Sequence, residues 1–162
     1  MTTRNMAFQP VMIGTRRVLI ALHTKSPPSE AEWNRWTQLL EEEAKRCDFD
    51  FAQTPNLVLT DGGAPSTAQR TAVNVLIAQA RTLPSVALVT DSVLVRAMVR
   101  AFSIFNPRIK VFTPAQMARA VVHLGLVEAD VPALISALVT LEGQELGAGA
   151  VDTLGAVSRL SR

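Results

Sequence analysis

Cysteine is nearly missing from this chain of 162 residues, and Cys47 stands alone. One thiol excludes an intramolecular disulfide framework and any Cys-rich zinc or iron–sulfur site. There is no tyrosine, and six Phe and two Trp make up the aromatics. Bases would find few rings to stack on, and the Lys and Arg residues are scattered rather than gathered into a stripe. The net charge is only +2. These features argue against nucleic acid as a partner. The two histidines, His23 and His123, are 100 positions apart and form no metal-ligand spacing with Cys47. Gly-x-Ser-x-Gly and Gly-x-Gly-x-x-Gly do not occur. No lysine falls between Lys45 and Lys110, which removes the phosphate loop as well. No apolar run reaches the roughly 18 residues of a membrane span. The opening MTTRNMAFQPVMIG has no sustained apolar core ahead of a cleavage pattern. The expected location is the cytoplasm.

What is present is an alternation of strand and helix signals. Phe8 to Ile13, Gly14-Thr15 and Val18 to Leu22 read as a strand or hairpin. Pro27-Pro28 breaks the chain. Ser29 with Glu32 three residues on forms a capping box for a helix to about Lys45, with Trp33, Trp36, Leu39 and Leu40 at helical spacing. Leu57 to Leu59 is a short strand, and a helix follows over about 67–81. Val86 to Val89 is a buried strand, and its helix carries Val95, Met98, Val99 and Phe102 inward. Ile109 to Phe112 is the next strand. Thr113-Pro114 then opens a helix to Gly125, and a last helix spans 133–141. The rhythm predicts an α/β domain with a mixed sheet of four to five strands and right-handed crossovers. Residues 1–141 form the expected domain. Residues 142–162, rich in Gly and Ala, read as a tail that either holds a weak helix over 151–160 or frays. Truncation after Glu142 is expected to leave the domain folded.

Candidate sites fall at strand ends, where open α/β sheets hold ligands. Asp61, Gly62 and Gly63 form a loop ahead of Ser66 and Thr67. That loop is either a tight turn or an anion-binding loop at a helix N-terminus. Asp91 and Ser92 occupy the matching place after the next strand. Asp61 and Asp91 are either caps or a carboxylate pair for acid–base or metal-assisted chemistry. Arg96 and Arg100 share one helical face, either as a polar surface or as part of a basic partner region. Ser66, Thr67 and Ser92 are hydroxyls at helix starts, where a phosphate would add about −1.5 to −2 charge. No catalytic set, metal or cofactor is indicated.

The order of elements resembles the STAS-like superfamily, the fold of bacterial anti-sigma-factor antagonists, and more closely its small stand-alone bacterial relatives. The likeness rests on the strand ending at His23, Pro28-Ser29 with the Trp33 helix, the strand ending at Asp61, Val86 to Asp91 with the Arg96–Phe105 helix, and Ile109 to Phe112 leading into Pro114–Leu124. It covers roughly residues 7 to 125. It implies a STAS-like sheet and a switch hydroxyl after a central strand, for which Ser66 and Thr67 are the nearest residues. The family's compact Asp-Ser arrangement is replaced by Gly62-Gly63-Ala64-Pro65. The leading expectation is a non-enzymatic protein-interaction or signalling module with a protein partner or a second copy as homodimer. The alternatives are a small-molecule or lipid-binding domain and, third, a carboxylate-dependent phosphotransfer or hydrolytic enzyme.

Overall fold

The structure, a computed structural model, describes residues 4–103 and 106–161. It is an α/β fold whose five-stranded sheet runs in plain chain order, β1-β2-β3-β4-β5. Strands β1 (Met6–Ile13) and β2 (Arg16–His23) form an antiparallel hairpin turned by Gly14-Thr15. Pro10 has no N–H to donate, and it is tolerated because β1 is an edge strand. Strands β3 (Asn56–Thr60), β4 (Val86–Val89) and β5 (Ile109–Phe112) then add in parallel.

Helix α1 (Glu30–Arg46) joins β2 to β3, α2 (Thr67–Ile77) joins β3 to β4, and α3 (Val93–Phe102) joins β4 to β5. Right-handed crossovers between sequential strands put all three helices on one face. Helices α4 (Met117–His123), α5 (Val131–Glu145) and α6 (Asp152–Leu160) cover the other. Two cores result. Met6, Leu19 and Ala21 meet Trp33, Trp36 and Leu40 of α1 on the first face. Ile20, Leu22, Leu57, Leu59 and Val89 meet Leu134, Leu138 and Leu154 on the second. From Val18 to His23, β2 is buried on both sides, as expected of a strand covered on both faces.

Helix α1 begins as its sequence predicts. The Ser29 side chain accepts from Glu32 N, and the Glu32 carboxylate accepts from Ser29 N at 2.7 Å. The same carboxylate accepts from Asn5 N at 2.6 Å and Met6 N at 3.0 Å, so one cap also holds the start of β1. Helix α2 ends at Ile77 rather than near Arg81. The Arg81 amide donates to Phe49 O and Thr82 bridges to Asp50, which pulls the chain out of the helix. The C-terminal part of the expected Arg96–Phe105 helix lies outside the described residues, as does the side chain of Phe102.

The C-terminal helix is present, and it belongs to the core. The boundary expected at 141/142 falls inside α5, and Val151, Leu154 and Val157 are all buried among the sheet and α5. Buried Glu142 closes the α5–α6 loop by accepting from Gly149 N at 3.1 Å and Val151 N at 2.8 Å. No single helix among the described residues is long and apolar enough to cross a membrane. The burial of α6 predicts that Leu154→Ala costs about 2–5 kcal/mol by cavity formation. Removal of α6 should leave the sheet face over β3 uncovered and the remainder unstable, contrary to a dispensable tail. Urea denaturation of both variants checks this, and a midpoint equal to the parent's would contradict it.

Candidate functional site

The two faces of the sheet are covered unequally. On the α4–α6 side, Leu57, Leu59, Ala87 and Val89 are 0% exposed. Their neighbours on the opposite side, Val58, Val86 and Leu88, are only half-buried, as is Ile109. Above these residues α1, α2 and α3 border a half-open cavity of about 350 Å³. Its floor is Val58, Val86, Leu88 and Ile109, and Trp33 and Trp36 of α1 form one wall. Val73 and Ile77 of α2 and Val95 and Met98 of α3 form the roof. The Trp33 indole N–H donates to Gln69 O at 2.7 Å, which ties the start of α2 to α1 and sets the height of the roof.

Polar groups mark the two ends. His23, the last residue of β2, is 7% exposed, and its Nδ1 has no hydrogen-bond partner. Asn56, the first residue of β3, has its Oδ1 buried and likewise unpartnered. Both line the cavity. Asn56 lies opposite Leu19 and His23 opposite Thr60, so the two residues stand at opposite ends of the floor. Burial pushes the His23 imidazole down to about 4 against the opposing pull of the Glu32 charge, so it is neutral near pH 7. In the sequence His23 stands out only as a strand end that fits no metal-ligand spacing, and Asn56 does not stand out at all. An alternation in which a histidine ends one apolar strand and an asparagine opens the next, both on the same face, is the signal that could have found them.

The residues expected to carry function are distributed around this cavity rather than gathered in it. Gly62 and Gly63 line its His23 end. Gly62 has φ +126°, which favours glycine, and a Cβ on Gly63 would come within 2.1 Å of Ser26 O. The turn reading therefore accounts for both glycines, and close backbone packing closes this end. Asp61 turns to the other face. Its carboxylate accepts from Asp152 N at 2.7 Å and Thr153 N at 2.8 Å, so it caps α6 from 91 residues away. A cap of this kind is worth about 1 kcal/mol. Thr153 Oγ1 donates to Thr60 O at 3.1 Å beside it, and Lys25 pairs with Asp152 at 2.7 Å.

Ser66 caps α2 in a capping box with Gln69, and Ser92 caps α3 through Val95 N. Ser66, Thr67, Asp91 and Arg100 are exposed. The Arg96 guanidinium donates to the carbonyls of Thr90 and Asp91, each at 3.4 Å. With both oxygens of Asp61 engaged at α6 and Asp91 exposed, no shared carboxylate site is assembled. No group of three or more His, Cys, Asp or Glu among the described residues could hold a metal ion. Cys47 is buried, and burial raises its thiol above the ordinary range, which opposes a thiolate nucleophile. The His123 ring is bonded through Nε2 to Arg108 O at 2.8 Å. Comparison with known proteins gave no significant match to any family model, curated protein or solved structure.

The burial of His23 has a pH signature. Its folded-state pKa is about 4 against 6.5 unfolded, so the unfolded chain binds the extra proton between these values. Its contribution is fully present above pH 6.5 and is lost as pH falls toward 4, by about 3 kcal/mol across that window. Denaturant midpoints taken across the window should show the slope, and His23→Leu should flatten it. An unchanged slope in His23→Leu would assign it to other groups.

Proposed function

We propose that this domain is a binding module for an apolar small molecule or a lipid chain, held between the β3–β5 face of the sheet and helices α1, α2 and α3. The observation that carries this reading is the half-covered apolar floor. Val58, Val86 and Leu88 face a cavity of about 350 Å³, while β3 and β4 are fully buried on their other side through Leu57, Leu59, Ala87 and Val89. Binding pockets are typically about 300–1,000 Å³, mostly apolar, with few polar groups. A cavity of about 150 Å³ already holds a benzene ring, so this one suits a ligand roughly twice that size. The chain contains two tryptophans, and both line the cavity, so binding is readable in their fluorescence.

Titration with 1-decanol should change that fluorescence and raise the melting temperature. At 100-fold excess over Kd the stabilisation is about 2.7 kcal/mol. Leu88→Phe, which fills the floor, should weaken binding at least tenfold without lowering the melting temperature of the free protein. Unaltered binding in Leu88→Phe would move the ligand elsewhere.

The protein-interaction reading, with its STAS-like resemblance, keeps one specific observation in its favour. Val93 and Leu94 at the start of α3 are 71% and 70% exposed, beside Ser92 and Arg96. A second copy or a protein partner would cover them. Light scattering on the double variant Val93→Asp, Leu94→Asp tests this. Loss of a dimer present in the parent supports the contact, and equal masses remove it.

A further inference from the structure

We infer that the ligand is bipolar: an apolar body with a hydrogen-bonding group at each end, one meeting His23 and the other donating to Asn56. This rests on the binding reading above and names the chemistry of the occupant. Asn56, Val58 and Thr60 alternate along β3 toward the cavity, and β2 lies beside it with Leu19 opposite Asn56 and His23 opposite Thr60. At about 3.3 Å per residue, the floor between the two polar residues runs about 13 Å along the strand. Between them Val58 of β3 and Leu88 of β4 offer no hydrogen bond. A ligand lying along the strand therefore meets a polar group, an apolar stretch and a second polar group.

The two ends differ in what they ask for. Asn56 Oδ1 is an acceptor, so its partner must be a donor such as a hydroxyl or an amide N–H. Its surroundings include Phe51, Pro84 and Val86, and the nearby Asn106 amide is already engaged, donating to Pro84 O at 3.2 Å and accepting from Arg108 N at 3.0 Å. Among the described residues no cation lines this end, so an anionic ligand group would find no counter-charge there. At the other end His23 Nδ1 offers one hydrogen-bonding position beside Thr60 and Gly62. The Thr60 hydroxyl is already engaged by Gly62 N at 3.1 Å. Arg70 of α2 also lines the cavity here, donating to Pro65 O at 3.3 Å and Thr67 Oγ1 at 3.0 Å, and among the described residues His23 Nδ1 is the buried polar atom at this end that lacks a partner. An uncharged hydroxyl satisfies both ends, and the cavity wall supplies the selection for length.

The test compares α,ω-alkanediols from hexanediol to dodecanediol with the 1-alkanols of equal length, on the full chain, by tryptophan fluorescence and calorimetry. The diols should show an optimum length, and at that length the diol should bind about tenfold more tightly than the alcohol. Asn56→Leu should bind diol and alcohol equally, and so should His23→Leu. Each variant replaces an unpartnered polar side chain with an apolar one, so its melting temperature in the absence of ligand should match or exceed the parent's. Equal affinity of diol and alcohol in the parent overturns the inference and leaves the binding site standing. A diol preference that survives in both variants does the same. Failure of diols and alcohols alike to bind overturns the inference together with the proposed function.

Discussion

Four parallel strands laid down in sequential order leave the crossover helices only one face to occupy. This constraint shapes the rest of the molecule. Helix α1, of 17 residues, seals β1 and β2 with Trp33, Trp36 and Leu40. Helices α2 and α3 have 11 and 10 residues and follow loops that start beyond the strand ends. They bridge the β3–β5 region instead of filling it, and Leu76 of α2 packs with the α1 cluster. The opposite face has no crossover to accommodate, so α4, α5 and α6 are free to pack it densely. One face is therefore a closed core and the other is partly a cavity.

Carboxylates join these layers. Glu32 holds the starts of α1 and β1 together, Asp61 caps α6, and Glu142 closes the loop before α6. Glu43, buried on α1, accepts from Arg17 of β2 at 3.0 Å and from Arg46 at 2.8 Å. Burial alone would push the Glu43 carboxyl up, but the two guanidinium partners outweigh it and hold it below the ordinary range. Its charge is thereby kept at neutral pH, which a buried acid without partners would not achieve. These groups satisfy backbone amides or arginines.

Much of the architecture was legible in the sequence because it is set by local rules. The strand–helix alternation, the Ser29–Glu32 capping box and the Thr113-Pro114 start depend on residues a few positions apart. Position 61 shows where such reading stops. An aspartate after a strand is a turn residue by every local criterion, and its partners are the amides of Asp152 and Thr153. The Gly/Ala-rich segment reads as a loose tail for the same reason. Its apolar positions Val151, Leu154 and Val157 are sparse, and only the tertiary packing reveals that each is buried. The cavity was illegible for a different reason. Val58 and Leu88 have the same residue types and alternation as core residues, and no sequence pattern distinguishes a wall that meets a helix from one that meets a space.

The unpartnered polar atoms remain to be accounted for. Three buried side-chain atoms among the described residues lack a hydrogen-bond partner: His23 Nδ1, Asp50 Oδ1 and Asn56 Oδ1. Such a group costs about 1–3 kcal/mol, against a total stability of about 5–15 kcal/mol. Elsewhere this chain satisfies its buried polar groups with some care, as Glu32, Glu43 and Glu142 show. Two of the three exceptions line the one face that the helices fail to fill. Leucine at either position would suit an apolar wall better in the free protein. Departures from local consistency that gather in one cavity, at opposite ends of its floor, are the pattern expected where stability is traded against recognition. The short helices α2 and α3 create the space, and His23 and Asn56 give it a direction along the strand.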